Sequence, residues 1–127
     1  MREKLKILAV DDDQPMLRTI CDILRFKGYE CLPVDSGEKA VQAVHLEEFD
    51  CVLMDIKMAG IDGVTTLMLI KSVTPDTPVV LMSANASPEQ IAAAKRYGAV
   101  TILTKPIDFP QILSFLTRLR KEESGEE

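Results

Sequence analysis

The sequence predicts an α/β fold, a parallel sheet of five strands doubly wound with helices, and three observations predict it. Apolar runs of strand length recur without polar alternation, as in Ile7-Leu8-Ala9-Val10 and Val79-Val80-Leu81-Met82, which suits strands covered on both faces. Between the runs lie stretches with apolar residues at helical spacing, bounded by capping residues and glycines. The connections are short, and strand–helix alternation with short links gives right-handed crossovers and a parallel sheet.

Lys4 to Val10 reads as the first strand. Pro15 to Lys27 follows as a helix, with Leu17, Ile20, Ile23, Leu24 and Phe26 mostly at helical spacing and Gly28 as its stop. Tyr29 to Val34 is a second strand, and Pro33 within it favours an edge position. Ser36 caps a second helix that carries Ala40, Val41, Val44 and Leu46 on one side. Phe49 to Met54 is the third strand and ends in an acid, Asp55. After the loop KMAGIDG, a helix from about Gly63 to Lys71 offers Val64, Leu67, Met68 and Ile70 for packing. Pro75 and Pro78 bracket a turn into strand Val79 to Met82. Ser87-Pro88-Glu89-Gln90 resembles a capping box with proline at the first helical position, and that helix ends at Gly98. Val100 to Leu103 is the last strand, and Asp108 with Gln111 opens a helix to about Lys121. Residues 122–127 lack apolar side chains and read as a flexible acidic tail. Five such units fit the flavodoxin-like strand order 2-1-3-4-5.

The chain has 127 residues, enough for one domain with a real core. A net charge of −5 argues against nucleic acid or an anionic membrane as a direct partner. No apolar run approaches the length of a bilayer span. The start, MREKLKILAV, has only a short apolar stretch before acids, so it reads as mature protein and not as a signal peptide. Cys21, Cys31 and Cys51 are odd in number, lie in separate apolar contexts and form no Cys-x-x-Cys pair. They read as reduced thiols filling core space in a cytoplasmic protein. His45, between Val44 and Leu46, has no catalytic part in this reading.

The unusual residues fall at strand ends. The first strand ends in Asp11, Asp12 and Asp13, the third at Asp55, the fourth at Ser83 and the fifth at Lys105-Pro106. In the order 2-1-3-4-5 these ends share one edge of the sheet, with Ser83 and Lys105 across from the acids. Carboxylates crowded side by side raise one another's pKa, so they need a countercharge. Lys105 is one source and a divalent cation the other. Magnesium accepts oxygen ligands and keeps some waters, so two carboxylates and a backbone carbonyl suffice. Lys105 and the Ser83 hydroxyl are then placed to engage a phosphoryl group on Asp55, and positioning with charge stabilisation is most of what phosphoryl transfer demands.

The set VDDD, VLMDIKMAGIDG, VVLMSAN and TILTKP, spanning about Leu5 to Leu119, resembles the receiver domain of bacterial two-component response regulators. The resemblance implies that residues 1–121 form one such domain and that Asp55 accepts a phosphoryl group from a phosphohistidine on a sensor histidine kinase or histidine phosphotransfer protein. It implies that Asp12, Asp55 and the main-chain carbonyl of Lys57 bind magnesium, with Asp11 assisting through water. Ser83 would hydrogen-bond the phosphoryl group, Lys105 would bridge to Asp55, and the Lys105-Pro106 peptide would be cis. Lys57 and Asn85 occupy positions that, in the family, tune hydrolysis of the acyl phosphate. Two departures stand out. Ala59 replaces the proline of the usual Met-Pro-Gly, which should loosen the loop slightly. Ile102 stands where many members have Tyr or Phe, so an inward-rotating ring cannot carry the signal, and loop order or simple relay of the phosphoryl group replaces it.

Simpler roles exist for single residues. Asp12 or Asp13 reads as the cap of the first helix, with Asp13 the better placed, Asp62-Gly63 as a turn and helix start, Ser83 alone as a satisfied hydroxyl and Lys105 alone as a solvated charge. Met16 reads equally as an exposed partner contact beside Pro106 or as a partly buried gap-filler. The competing function is a metal-dependent aspartyl-phosphate hydrolase of small phosphate esters, for which Asp11 and Asp13 have the spacing but a cap domain has no room. Flavin binding is disfavoured because acids, not a phosphate-binding loop, follow the first strand. Any output passes through a downstream protein or an appended domain.

Overall fold

The computed structural model describes residues 4–124. Five parallel strands, β1 (Lys6–Val10), β2 (Glu30–Val34), β3 (Cys51–Asp55), β4 (Val79–Ser83) and β5 (Thr101–Thr104), lie in the order β2-β1-β3-β4-β5. They alternate with α1 (Gln14–Phe26), α2 (Gly37–Leu46), α3 (Gly63–Val73), α4 (Pro88–Arg96) and α5 (Phe109–Ser124). Strand order and helix count agree with the sequence reading. Among the described residues no helix is long and apolar enough to cross a membrane.

Alternation along β1 divides the core. Ile7 and Ala9 face Leu17, Ile20 and Leu24 of α1 and Ile112 and Leu116 of α5. Leu8 and Val10 face Ala40 and Val44 of α2, Leu67 and Ile70 of α3 and Ala94 of α4. Successive strand side chains point to opposite faces, so an unbroken apolar run serves both layers. β3 and β4 are buried at every position, whereas β2, with Pro33, is an edge.

Helix starts follow their caps. Asp13, Ser36, Asp62 and Ser87 each accept a main-chain N–H from the first turn, and Ser87 with Gln90 completes the reciprocal box. After α1 and α4 the chain reverses through Gly28 and Gly98, both at φ +95°, a conformation glycine adopts without a Cβ penalty.

Several expectations need correction. Phe26 is 86% exposed, because it lies about half a turn around α1 from Leu17. Leu46, at the end of α2, and Met68 on α3 also face outward, away from the stripes that Ala40 and Leu67 bury. α5 continues to Ser124, so residues 122–124 are helical, and the remainder of the expected tail, 125–127, lies outside the described residues. Cys21 and Cys31 are not separate thiols but a disulfide, with Cα atoms 5.4 Å apart. The turn at Gly28 lays the start of β2 beside the middle of α1, so two cysteines in different apolar contexts meet. Cys51 alone is free, and burial pushes its thiol up to about 12. Met16 packs partly buried against the α1–α5 side, the gap-filling alternative.

Candidate functional site

Pairing in register brings the ends of β1, β3, β4 and β5 to one rim. Asp11 follows Val10, and its N–H donates to the Val34 carbonyl at 3.3 Å, which holds the turn out of β1 against β2. Its side chain is fully buried: Oδ1 accepts the Asp13 N–H at 3.0 Å, and Oδ2 faces Lys105 Nζ at 3.2 Å. Asp12 is exposed on the rim and uses Oδ2 to accept the Ala59 N–H at 2.9 Å. Asp13 is spent on the α1 cap, accepting from the Met16 N–H. Asp55, the last residue of β3, is 7% exposed. One carboxylate oxygen from each of Asp11, Asp12 and Asp55 lies within 4.8 Å of the others.

Lys105 closes the rim. Its main-chain N–H donates to the Ser83 carbonyl at 2.8 Å, continuing the β4–β5 pairing, and the Lys105-Pro106 peptide is cis. The ammonium sits between two carboxylates, 3.2 Å from Asp11 and 3.4 Å from Asp55, so it bridges both and not Asp55 alone. Ser83 is buried, with its Oγ accepting the Asn85 N–H at 3.1 Å. Behind it a cavity of about 470 Å³ opens between α4 and β5, lined by Ile91, Lys95, Ile102 and Thr104 among others. Ile102 is half-buried there against the α2–α3–α4 side of the core.

The electrostatics are those of a site short of positive charge. Burial raises the Asp55 carboxyl above its ordinary value, and the charge of Asp11 raises it further. Lys105 and the Lys57 main-chain N–H pull the other way without winning. Burial lowers the Lys105 ammonium, but Asp11 and Asp55 outweigh it and hold the group above its usual value. A buried carboxylate that remains hard to ionise beside a lysine has room for a further cation. The oxygen-only donor set, open on the Asp12 side, fits a hard divalent ion.

The loop after Asp55 is pinned by contacts that sequence reasoning missed. The Gly63 N–H donates to the Ile56 carbonyl at 2.7 Å and closes the loop base. Glu38, from the first turn of α2, accepts the Ile61 N–H at 3.4 Å and packs on Gly60, whose φ is +79°. No local signal marks Glu38, because its partners are distant in sequence. A glycine is required at 63: a Cβ there would stand 2.5 Å from the Asp55 carbonyl oxygen and 2.6 Å from Ile56 Cα, both backbone atoms. Gly63→Ala is therefore expected to displace the end of β3 and destabilise the fold by about 1–3 kcal/mol, as chemical denaturation would measure. Wild-type stability in that variant would contradict this packing.

Comparison with known proteins follows the same lines. Residues 7–117 match the family model described as response regulator receiver domain. The chain is 37% identical over 116 residues to the transcriptional regulatory protein ZraR of Escherichia coli K12, covering 91% of this chain and 26% of that protein. It is 35% identical over 113 residues to the response regulator protein FleR of Pseudomonas aeruginosa, covering 89% and 24%. The chain thus spans about a quarter of the length of these relatives. Among solved structures, a CheY-like receiver domain protein from Methanospirillum hungatei superposes with a TM-score of 0.91 at 26% identity, covering 97% of this chain and 99% of that one.

Proposed function

The chain belongs to the response regulator receiver domain family of two-component systems, and from that premise we propose that Asp55 accepts a phosphoryl group from a phosphohistidine on a partner. The carrying observation is the rim itself: Asp55 stands within reach of Asp11 and Asp12 and of the Lys105 ammonium, which contacts Asp11 as well. Asp12, Asp55 and the Lys57 carbonyl are the residues that would hold magnesium, with Asp11 behind them. When bound, the ion supplies the positive charge that neutralises the carboxylates and the incoming phosphoryl oxygens.

In the transfer, a carboxylate oxygen of Asp55 attacks phosphorus, the nitrogen–phosphorus bond of the donor breaks, and the imidazole leaves and takes a proton from solvent. Lys105, already held by Asp11, keeps its ammonium on the side where negative charge gathers. The Ser83 hydroxyl, at the end of the neighbouring strand, donates to a phosphoryl oxygen. Hydrolysis reverses the modification when water attacks phosphorus and releases inorganic phosphate, and Lys57 and Asn85, exposed at the rim, border its path. The donor is a sensor histidine kinase or histidine phosphotransfer protein, met in the cytoplasm, and the signal continues to an output protein or domain. Ile102 supports readout through loop order or phosphoryl relay.

Incubation with magnesium and acetyl phosphate or phosphoramidate tests this reading. A single base-labile phosphoryl adduct is expected, and none in the presence of chelator. Steady turnover of a chromogenic phosphate ester without an accumulating adduct would favour the aspartyl-phosphate hydrolase instead.

A further inference from the structure

We infer that the main-chain N–H of Ala59 is a positioning donor that couples magnesium binding to the order of the β3–α3 loop. The inference rests on Asp12 as a magnesium ligand. The observation is a hydrogen bond of 2.9 Å from the Ala59 nitrogen to Asp12 Oδ2, across a sequence separation of 47. A proline at this position would have no N–H and could not make it.

Three pins hold the loop, and each does something different. Gly63 to Ile56 closes its base, Ile61 to Glu38 fastens its far side to α2, and Ala59 to Asp12 ties its crest to the acidic rim. Of the three, the last connects the loop to Asp12, a proposed ligand from a different strand end. Ala59 lies two residues beyond Lys57, whose carbonyl must face the same ion as Asp12. A bond between Asp12 and Ala59 therefore fixes the separation of two ligands that come from different strand ends. It occupies one Asp12 oxygen and leaves the other for the cation, so the bond and the ion hold the carboxylate together and do not compete for it. Asp12 is exposed and would otherwise sample several rotamers; ordering it before the ion arrives lowers the entropy cost of binding. By linkage, the ion orders the loop to the same degree.

The test uses magnesium alone as the probe. Ala59→Pro, which removes the donor, is expected to weaken magnesium about threefold to tenfold by calorimetric titration. Ala59→Ser, which keeps the N–H, should stay within about twofold of wild type. In the wild-type chain, hydrogen exchange of the Ala59 amide should slow on adding magnesium, a readout that needs no variant. Equal or tighter binding by Ala59→Pro would overturn the coupling, as would an Ala59 amide indifferent to the metal. Equal losses in both variants would assign the effect to loop composition and overturn the role of the N–H. Absence of saturable magnesium binding in the wild type would instead sink the underlying site reading, so the two failures are distinct.

Discussion

Asp55→Asn is expected to take up no phosphoryl group and, without metal, to melt at a higher temperature than the wild-type chain. The first outcome follows from loss of the attacking oxygen. The second follows from the sign of the Asp55 shift. Its folded carboxyl lies above the ordinary value of 3.8, so the group favours the folded state while protonated. That contribution is fully present below about pH 4 and is lost as pH rises through the folded value, after which the charge opposes folding. At neutral pH the amide removes the opposition, and each 1 kcal/mol relieved is worth roughly 4 °C in a domain of this size. Thermal melts of both chains in chelator, from pH 4 to 8, should show a gap that opens with rising pH. Magnesium should raise the wild-type melting temperature more than that of the variant. A variant that melts lower than wild type at neutral pH would contradict the charge balance drawn for the rim.

Lys105→Met carries the second large effect and the opposite sign. Asp11 is fully buried and Asp55 nearly so, and this ammonium lies within 3.4 Å of both. Removing one member of a buried ionic set leaves uncompensated charge, at a cost of about 3 kcal/mol. The Asp55 carboxyl, which Lys105 pulls down, then resists ionisation more strongly. Since a raised carboxyl stabilises at low pH and not at high, the stability deficit of the variant should grow between about pH 4 and 8. Labelling by acetyl phosphate should fall about a hundredfold, the typical loss for one charged or hydrogen-bonding group aimed at developing negative charge. Wild-type labelling in a folded Lys105→Met chain would remove the lysine from the mechanism.

How much of this was legible in the sequence depends on distance along the chain. Strands and caps are local: Ile7 to Val10 announces a doubly covered strand, and Ser87 with Gln90 announces a helix start. The rim followed from them, because strand order alone places Asp11, Asp55, Ser83 and Lys105 on one edge. Side-chain direction was less readable. Phe26, Leu46 and Met68 are apolar and helical but sit off the buried stripe, and apolar character alone does not say which way a residue faces. The contacts missed altogether are tertiary. Cys21 and Cys31 required knowing how the Gly28 turn lays β2 on α1. Glu38 reaches a loop across 23 positions, and Ala59 reaches Asp12 across 47. Ala59 was visible in the loop sequence, but its consequence, a main-chain donor facing a carboxylate, was not.

The most direct measurement is to phosphorylate the wild-type chain with acetyl phosphate and magnesium, reduce the adduct with borohydride and sequence the peptides by tandem mass spectrometry. Reduction of an aspartyl phosphate leaves homoserine where the acyl phosphate stood. Homoserine at position 55, absent when chelator replaces magnesium, is the predicted result. Homoserine at position 11 or 12, or equal conversion without metal, would contradict it.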